Sequence, residues 1–316
     1  MKILNSNWLR ITIAAAISIL IVSFLFYKIP IQRVISSIKA SDFRLILLAV
    51  FISLSVNIFL GTEKWRRILR ALGCSLSYKE TLSIRAGCLP LKVIFPMKSS
   101  ELLKVLYLNR QKKMHFGRGL SSLLLDKSLN LLVTLVIFFA GLSAVDLKIS
   151  KVIPVSMLVV AILILFSAKV RSIFIVLSKK IHIKLYNFTA QLFSGFEEVK
   201  IKEKIILILF SIVYQLSEFI NTYILFKAMG LKVPFSLILV MIPMVMIVNV
   251  FPVTILGLGS REAFTIFLFS GYGASTLLLS ASLLITFIEH ILPVLFGLFF
   301  IKAFIAYLSI KNARIS

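Results

Sequence analysis

Apolar runs of near-membrane length alternate with short polar segments along nearly the whole chain. They cover residues 11–27, 45–60, 120–142, 153–168, 205–226 and 277–308, with shorter runs at 237–250 and 263–269. About 20 apolar residues in a helix cross a hydrocarbon core roughly 30 Å thick. The pattern therefore predicts an all-α, polytopic transmembrane bundle of about 7–8 membrane segments, with no segment long and polar enough to fold as a separate soluble domain. The first run, 11–27, is expected to be a retained helix, because Lys28-Ile29-Pro30 follows it where a small-residue cleavage site would stand.

Two places break this rhythm. Residues 251–262 read Phe-Pro-Val-Thr-Ile-Leu-Gly-Leu-Gly-Ser-Arg-Glu and lie between two apolar runs. Proline cannot donate a backbone hydrogen bond and glycine frees φ, so a helix should stop there. Irregular backbone at membrane depth survives only where protein or a wet cavity receives its polar groups. The other break follows residues 86–95, too short to cross, which end at Pro96. Re-entrant or broken helices are thus expected near 86–101 and 237–262.

The two breaks echo each other. Pro96 precedes Glu101, and Asp126-Lys127 stands 25 residues beyond that glutamate; Pro252 precedes Glu262, and Glu289-His290 stands 27 beyond it. Interrupted apolar segments at matching positions of two halves point to a transport site between repeats, here about 45–142 and 205–308. The fifth long run adds Gln215, Glu218 and Asn221 at three-residue steps, on one helical face turned toward the protein interior.

Charge settles the orientation. The 316 residues hold 36 Lys and Arg against 12 Asp and Glu, a net charge of +24, yet 59% are hydrophobic and the mean hydropathy is +1.03. The basic residues flank apolar runs instead of forming a soluble patch with interleaved aromatics, which argues against nucleic acid as a partner. Segments 61–118 and 169–204 hold 13 and 8 Lys and Arg, whereas 143–152 and 227–236 hold two each. The basic segments belong in the cytoplasm, with both termini, in a multi-pass protein of the cell membrane. Segment 169–204 should lie along the interface as an amphipathic helix. Arg66, Arg67 and Arg70, just beyond the second run, suit generic contact with anionic headgroups. Two cysteines, Cys74 and Cys88, and three scattered histidines give neither a disulfide framework nor metal-ligand spacing. No metal, cofactor or catalytic constellation is expected.

At the second break, Arg261 and Glu262 carry two readings: a phosphate contact with a carboxylate that holds the arginine or carries a proton, or an ion pair that locks two half-helices. Gly257 and Gly259 serve backbone geometry, and with Ser260 could bare amides to an anion at the next helix start. Glu101 fits the first turn of a helix capped by Ser99 or Ser100. Asp126 and Lys127 are either a gate or a buried pair. Glu289-His290 reads as a polar pair beside Pro293 near a helix end, with proton relay as the rival role.

These residues resemble motifs of a flippase-like integral membrane family that includes the membrane domain of bacterial lysylphosphatidylglycerol synthases. Pro252-Val-Thr-Ile-Leu-Gly257-Leu-Gly259-Ser-Arg261-Glu262-Ala263 is similar to the family's Pro-x-x-x-x-Gly-x-Gly-x-Arg-Glu-Ala. Pro96-Met-Lys-Ser-Ser-Glu101-Leu-Leu-Lys104 is similar to its Pro-x-x-x-Gly-Glu-x-x-Arg, with Ser100 in place of glycine and Lys104 in place of arginine. Asp126-Lys127 stands where the family has an acidic residue followed by Arg. Lysine lacks the bidentate guanidinium fork, a difference that bears on headgroup choice.

The resemblance implies two repeats with re-entrant helices around a central cavity, and work on lipids or lipid-linked headgroups. The aminoacyl-transferase domain of the synthases is not in this sequence. The leading expectation is a flippase or transporter, not an enzyme. Lys98, Lys104 and Arg261 would admit the headgroup of an anionic phospholipid or a polyprenyl-linked sugar while its tail stays in lipid. The rival is a non-catalytic accessory subunit that docks an envelope glycosyltransferase. No nucleotide-binding loop is found, so energy would come from a gradient or a partner.

Overall fold

The computed structural model describes residues 16–94, 100–145, 152–181, 183–248, 254 and 257–309. The described residues form an all-α polytopic bundle. Helix α1, Ala16–Lys28, bends by 79° into the interfacial α2, Ile31–Lys39. The long α3, Phe43–Ala71, follows; four short turns later come the half-helices α4, Tyr78–Gly87, α5, Leu91–Ile94, and α6, Ser100–Lys112. Helix α7, Phe116–Ser143, is long again. Next are α8, Val152–Phe166, and the surface helices α9, Ala168–Ile181, and α10, Ile183–Glu198. The long α11, Ile201–Ala228, leads to the shorter α12, Phe235–Val248, and α13, Ser260–Phe269, and α14, Ser275–Ala306, closes the bundle.

Four of these helices, α3, α7, α11 and α14, are long and apolar enough to cross a membrane, and the bent pairs α1–α2 and α8–α9 raise the number to six. Local chemistry sets their ends. The Asp42 carboxylate accepts the Arg44 and Leu45 N–H groups to start α3, and the Ser77 hydroxyl accepts Glu80 N–H to start α4. His115 begins α7 by accepting Gly117 N–H at 3.2 Å. Helix α11 ends at Gly230, φ +74°, where the Gly230 and Leu231 N–H groups turn back onto the Lys227 and Phe226 carbonyls. The 87° corner between α8 and α9 is held by Arg171, whose guanidinium donates to the Ile164 carbonyl at 2.9 Å. The expected interfacial segment is therefore two helices, and α10 seats Gly195 directly against Ser121 of α7.

Two expectations of extent are corrected. The second apolar run stops at residue 60, but its helix continues to Ala71, carrying Lys64 and Trp65 into the interior. The last run was expected to be interrupted at Glu289, His290 and Pro293; α14 passes through them without a break. Both helices instead widen into a π turn, at Ser55–Leu60 in α3 and Phe287–Ile291 in α14. Such turns admit one extra residue and re-aim the side chains beside them.

The order long helix, half-helices, long helix occurs twice, as α3–α7 and α11–α14. Packing crosses between the two series. Gly87 of α4 lies under Phe304 of α14, and Gly297 of α14 lies under the Ala86 carbonyl. Gly141 of α7 lies under Leu239 and the Ser236 carbonyl of α12. Each closing helix thus sits on the first half-helix of the other series. Phe51, Leu209, Phe267 and Phe299 point outward, as a lipid-facing surface requires.

Candidate functional site

Inside this frame the first series gathers four lysines, an arginine and two carboxylates. Lys64 of α3 is fully buried and pairs with Asp126 of α7 at 2.8 Å, while also donating to the Asn130 amide oxygen at 2.5 Å. Glu101, in the first turn of α6, pairs with Lys104 at 2.6 Å and with Lys92 at 3.3 Å. Burial alone would raise the Glu101 pKa, but Lys104, Lys127 and Lys92 together hold it well below the usual carboxylate range. Lys104 also lies over the Trp65 ring, 5.3 Å from its centroid. Arg85 of α4 fills the space left by the missing side chain of Gly61 and donates to the Asn57 carbonyl at 2.8 Å.

Lys127 differs from these. It is exposed although it sits on α7, about 16 Å from the helix start at 1.5 Å per residue. It makes no ion pair or hydrogen bond among the described residues, yet Glu101, Asp126, Arg85 and Glu218 are all within electrostatic reach. An accessible, unpaired lysine at that depth must face water and not lipid. Asp126 and Lys127, adjacent in sequence, therefore do different things: Asp126 is neutralised by Lys64, and Lys127 is left free.

The second series places its charges on a turn. Gly257 and Gly259 have φ of +78° and +88°, a region side chains disfavour, so both positions require glycine. Ser260 donates to the Gly257 carbonyl at 3.2 Å and lies 2.8 Å from the Thr254 hydroxyl. Glu262 accepts the Gly259 N–H at 2.6 Å through Oε2 and the Thr286 hydroxyl at 2.6 Å through Oε1. Its carboxylate thus closes the start of α13 and ties it to α14. Arg261, 7% exposed, donates to the same Thr286 hydroxyl at 3.5 Å and has Glu262, Glu218 and Glu289 in electrostatic reach. Helix α1 covers the turn: Ile21 and the Ser18 carbonyl lie directly over Gly259.

Between the two series lies a polar cluster built on the facing π turns. The Glu289 carboxylate accepts from the Asn57 amide at 2.7 Å, the Ser53 hydroxyl at 3.2 Å and the Asn221 amide. Tyr214 donates to Asn57 at 2.5 Å. Below it, Gln215 of α11 donates to Thr134 of α7 at 2.5 Å. Gln215, Glu218 and Asn221 share the inward face expected of them.

The expected residues therefore form two groups: Glu101, Lys104, Asp126 and Lys127 in one, and Gly257, Gly259, Ser260, Arg261 and Glu262 in the other. Lys98 lies outside the described residues. Glu218 links the groups, being within reach of both Lys127 and Arg261. The spacing of motifs gave no hint of Lys64, Arg85 or Lys92 as interior cations, nor of Asn57 and Tyr214. Glu289 was expected near a helix end and is instead central, in the π turn of an unbroken helix.

Residues 11–297 match the family described as the lysylphosphatidylglycerol synthase TM region. No curated protein matches the chain.

Proposed function

Because the chain belongs to the lysylphosphatidylglycerol synthase TM region family, we propose that it moves anionic lipid headgroups between the leaflets of the membrane. The observation that carries this reading is Lys127, an accessible cation on a membrane-spanning helix with no partner among the described residues. A charge held there needs a counter-ion, and an anionic headgroup entering from lipid supplies one. Lys92, Lys104 and Arg85 line the approach on one side, and Arg261 waits on the other. The path between them runs over polar side chains of α3, α7, α11 and α14, while acyl or prenyl tails remain against the apolar outer surface.

Movement of the two half-helix pairs against the long helices would expose the charges alternately to either side. The basic segments 61–118 and 169–204 support a cytoplasmic location for the α3–α7 loops and for both termini, in the cell membrane.

The reading is tested with purified protein in vesicles containing labelled phosphatidylglycerol, by following its appearance in the opposite leaflet. Wild type should accelerate the exchange. Arg261→Ala should slow it by about 10- to 100-fold, the loss expected for one charge-assisted contact of 1.5–3 kcal/mol. Equal rates for the two proteins would rule the reading out.

A further inference from the structure

The Glu218 carboxyl has no assigned task and no partner. It sits on α11 about 26 Å from the helix start, near the middle of a span of 28 residues. Among the described residues it makes no hydrogen bond and no ion pair, although it is only partly exposed. The other interior carboxylates are all committed. Asp126 is bound by Lys64, Glu101 by Lys92 and Lys104, Glu262 by the start of α13, and Glu289 by three donors.

The charges around Glu218 are few and come from identifiable elements. Helix α7 brings Lys127, α13 brings Arg261 and α14 brings Glu289. Helix α3 contributes Asn57, hydrogen-bonded to Tyr214, while its charged residues Glu63, Lys64, Arg66 and Arg67 lie about two turns further on. Helix α12 contains no titratable side chain. Arg261 consequently has three carboxylates in reach, two of them fixed by hydrogen bonds. A phosphate that approaches Arg261 must compete with Glu218, and the competition ends when Glu218 takes up a proton.

We propose that Glu218 is the proton-carrying group of the transporter, so that one proton and one anionic headgroup bind together and are released together on the other side. This rests on the transport reading above. The step is electroneutral for a monoanionic headgroup: the proton adds to a Glu218 carboxylate oxygen, Arg261 is released to the phosphate, and both leave in reverse order. Ionised Glu218 holds the arginine and leaves the site unready, so the share of protein able to bind headgroup follows the protonated share.

Vesicles holding wild type, Glu218→Gln or Glu218→Asp would be given a pH gradient of one unit and labelled phosphatidylglycerol, with leaflet content read by an impermeant quencher. Coupling of one to one sets an equilibrium transbilayer ratio of about tenfold per pH unit. Wild type and Glu218→Asp should approach that ratio. Glu218→Gln should give the same distribution with and without the gradient. A Gln variant that still concentrates lipid against the gradient overturns the proposal, as does a wild type that equilibrates lipid rapidly but evenly. In the second case transport itself stands; a wild type that moves no lipid removes both readings. Proton uptake on adding short-chain phosphatidylglycerol to the weakly buffered, solubilised protein gives a second readout, expected at about one proton per lipid bound and absent from Glu218→Gln.

Discussion

At the scale of residues, neighbours in sequence have been assigned to different work. Asp126 and Lys127 look like a pair, and so do Arg261 and Glu262, because opposite charges stand side by side. In a helix, however, consecutive side chains diverge by 100°, so each finds its partner on another element. Asp126 turns to Lys64 and Glu262 to Gly259 and Thr286, leaving Lys127 open. This separates two lysines by experiment. Lys64→Met removes the cation of a buried pair and strands Asp126, at about 3 kcal/mol of stability. Its thermal unfolding in detergent should shift down clearly. Lys127→Met removes a charge with no partner, so it should unfold like wild type while binding phosphatidylglycerol more weakly by about tenfold. If Lys127→Met is the less stable of the two, the assignment of roles is wrong.

At the scale of elements, what was legible in the sequence is what depends on local pattern. The long apolar runs, the break at 251–262 and the inward face of Gln215, Glu218 and Asn221 follow from hydropathy, glycine and helical period. The extents of α3 and α14 did not follow, because charge inside a helix reads as its end. Lys64 looked like part of a basic loop, although Asp126 and Asn130, 62 and 66 positions away, make its burial tolerable. Asn57 and Glu289 meet across 232 positions, which no local window reports. Glycine packing was equally hidden. A Cβ at position 297 would lie 2.4 Å from the Ala86 carbonyl oxygen and 2.7 Å from Pro90, and backbone there cannot swing aside. Gly297→Ala should therefore push α14 from α4 and destabilise the protein by about 1–3 kcal/mol, the usual range for overpacking. Gly271→Ala, with nothing within 4 Å, should leave the unfolding temperature unchanged. Equal unfolding temperatures for the two variants would mean that α4 and α14 are not in that contact.

At the scale of the whole molecule, the exchange of closing helices between the two series points to a two-fold relation. Helix α14 rests on α4, and α7 rests on α12. If the relation were parallel, both half-helix pairs would open to one side of the membrane, and their loops would carry similar charge. They do not: 13 Lys and Arg lie within 61–118, but only Lys227 and Lys232 within 227–236. An inverted relation accounts for both facts, since it sends the α4–α6 pair in from the cytoplasm and the α12–α13 pair in from outside. The two turns then meet near mid-membrane, where Lys127, Glu218 and Arg261 lie. Single cysteines test this arrangement, because both native cysteines are buried. Arg110→Cys and Lys232→Cys replace exposed residues beside α6 and α12. In intact cells an impermeant maleimide should label position 232 and not 110, and permeabilisation should make 110 reactive. Labelling of both from one side would place the two half-helix pairs in the same leaflet. A headgroup could then reach Lys127 and Arg261 from that leaflet alone, and the site would have no second exit.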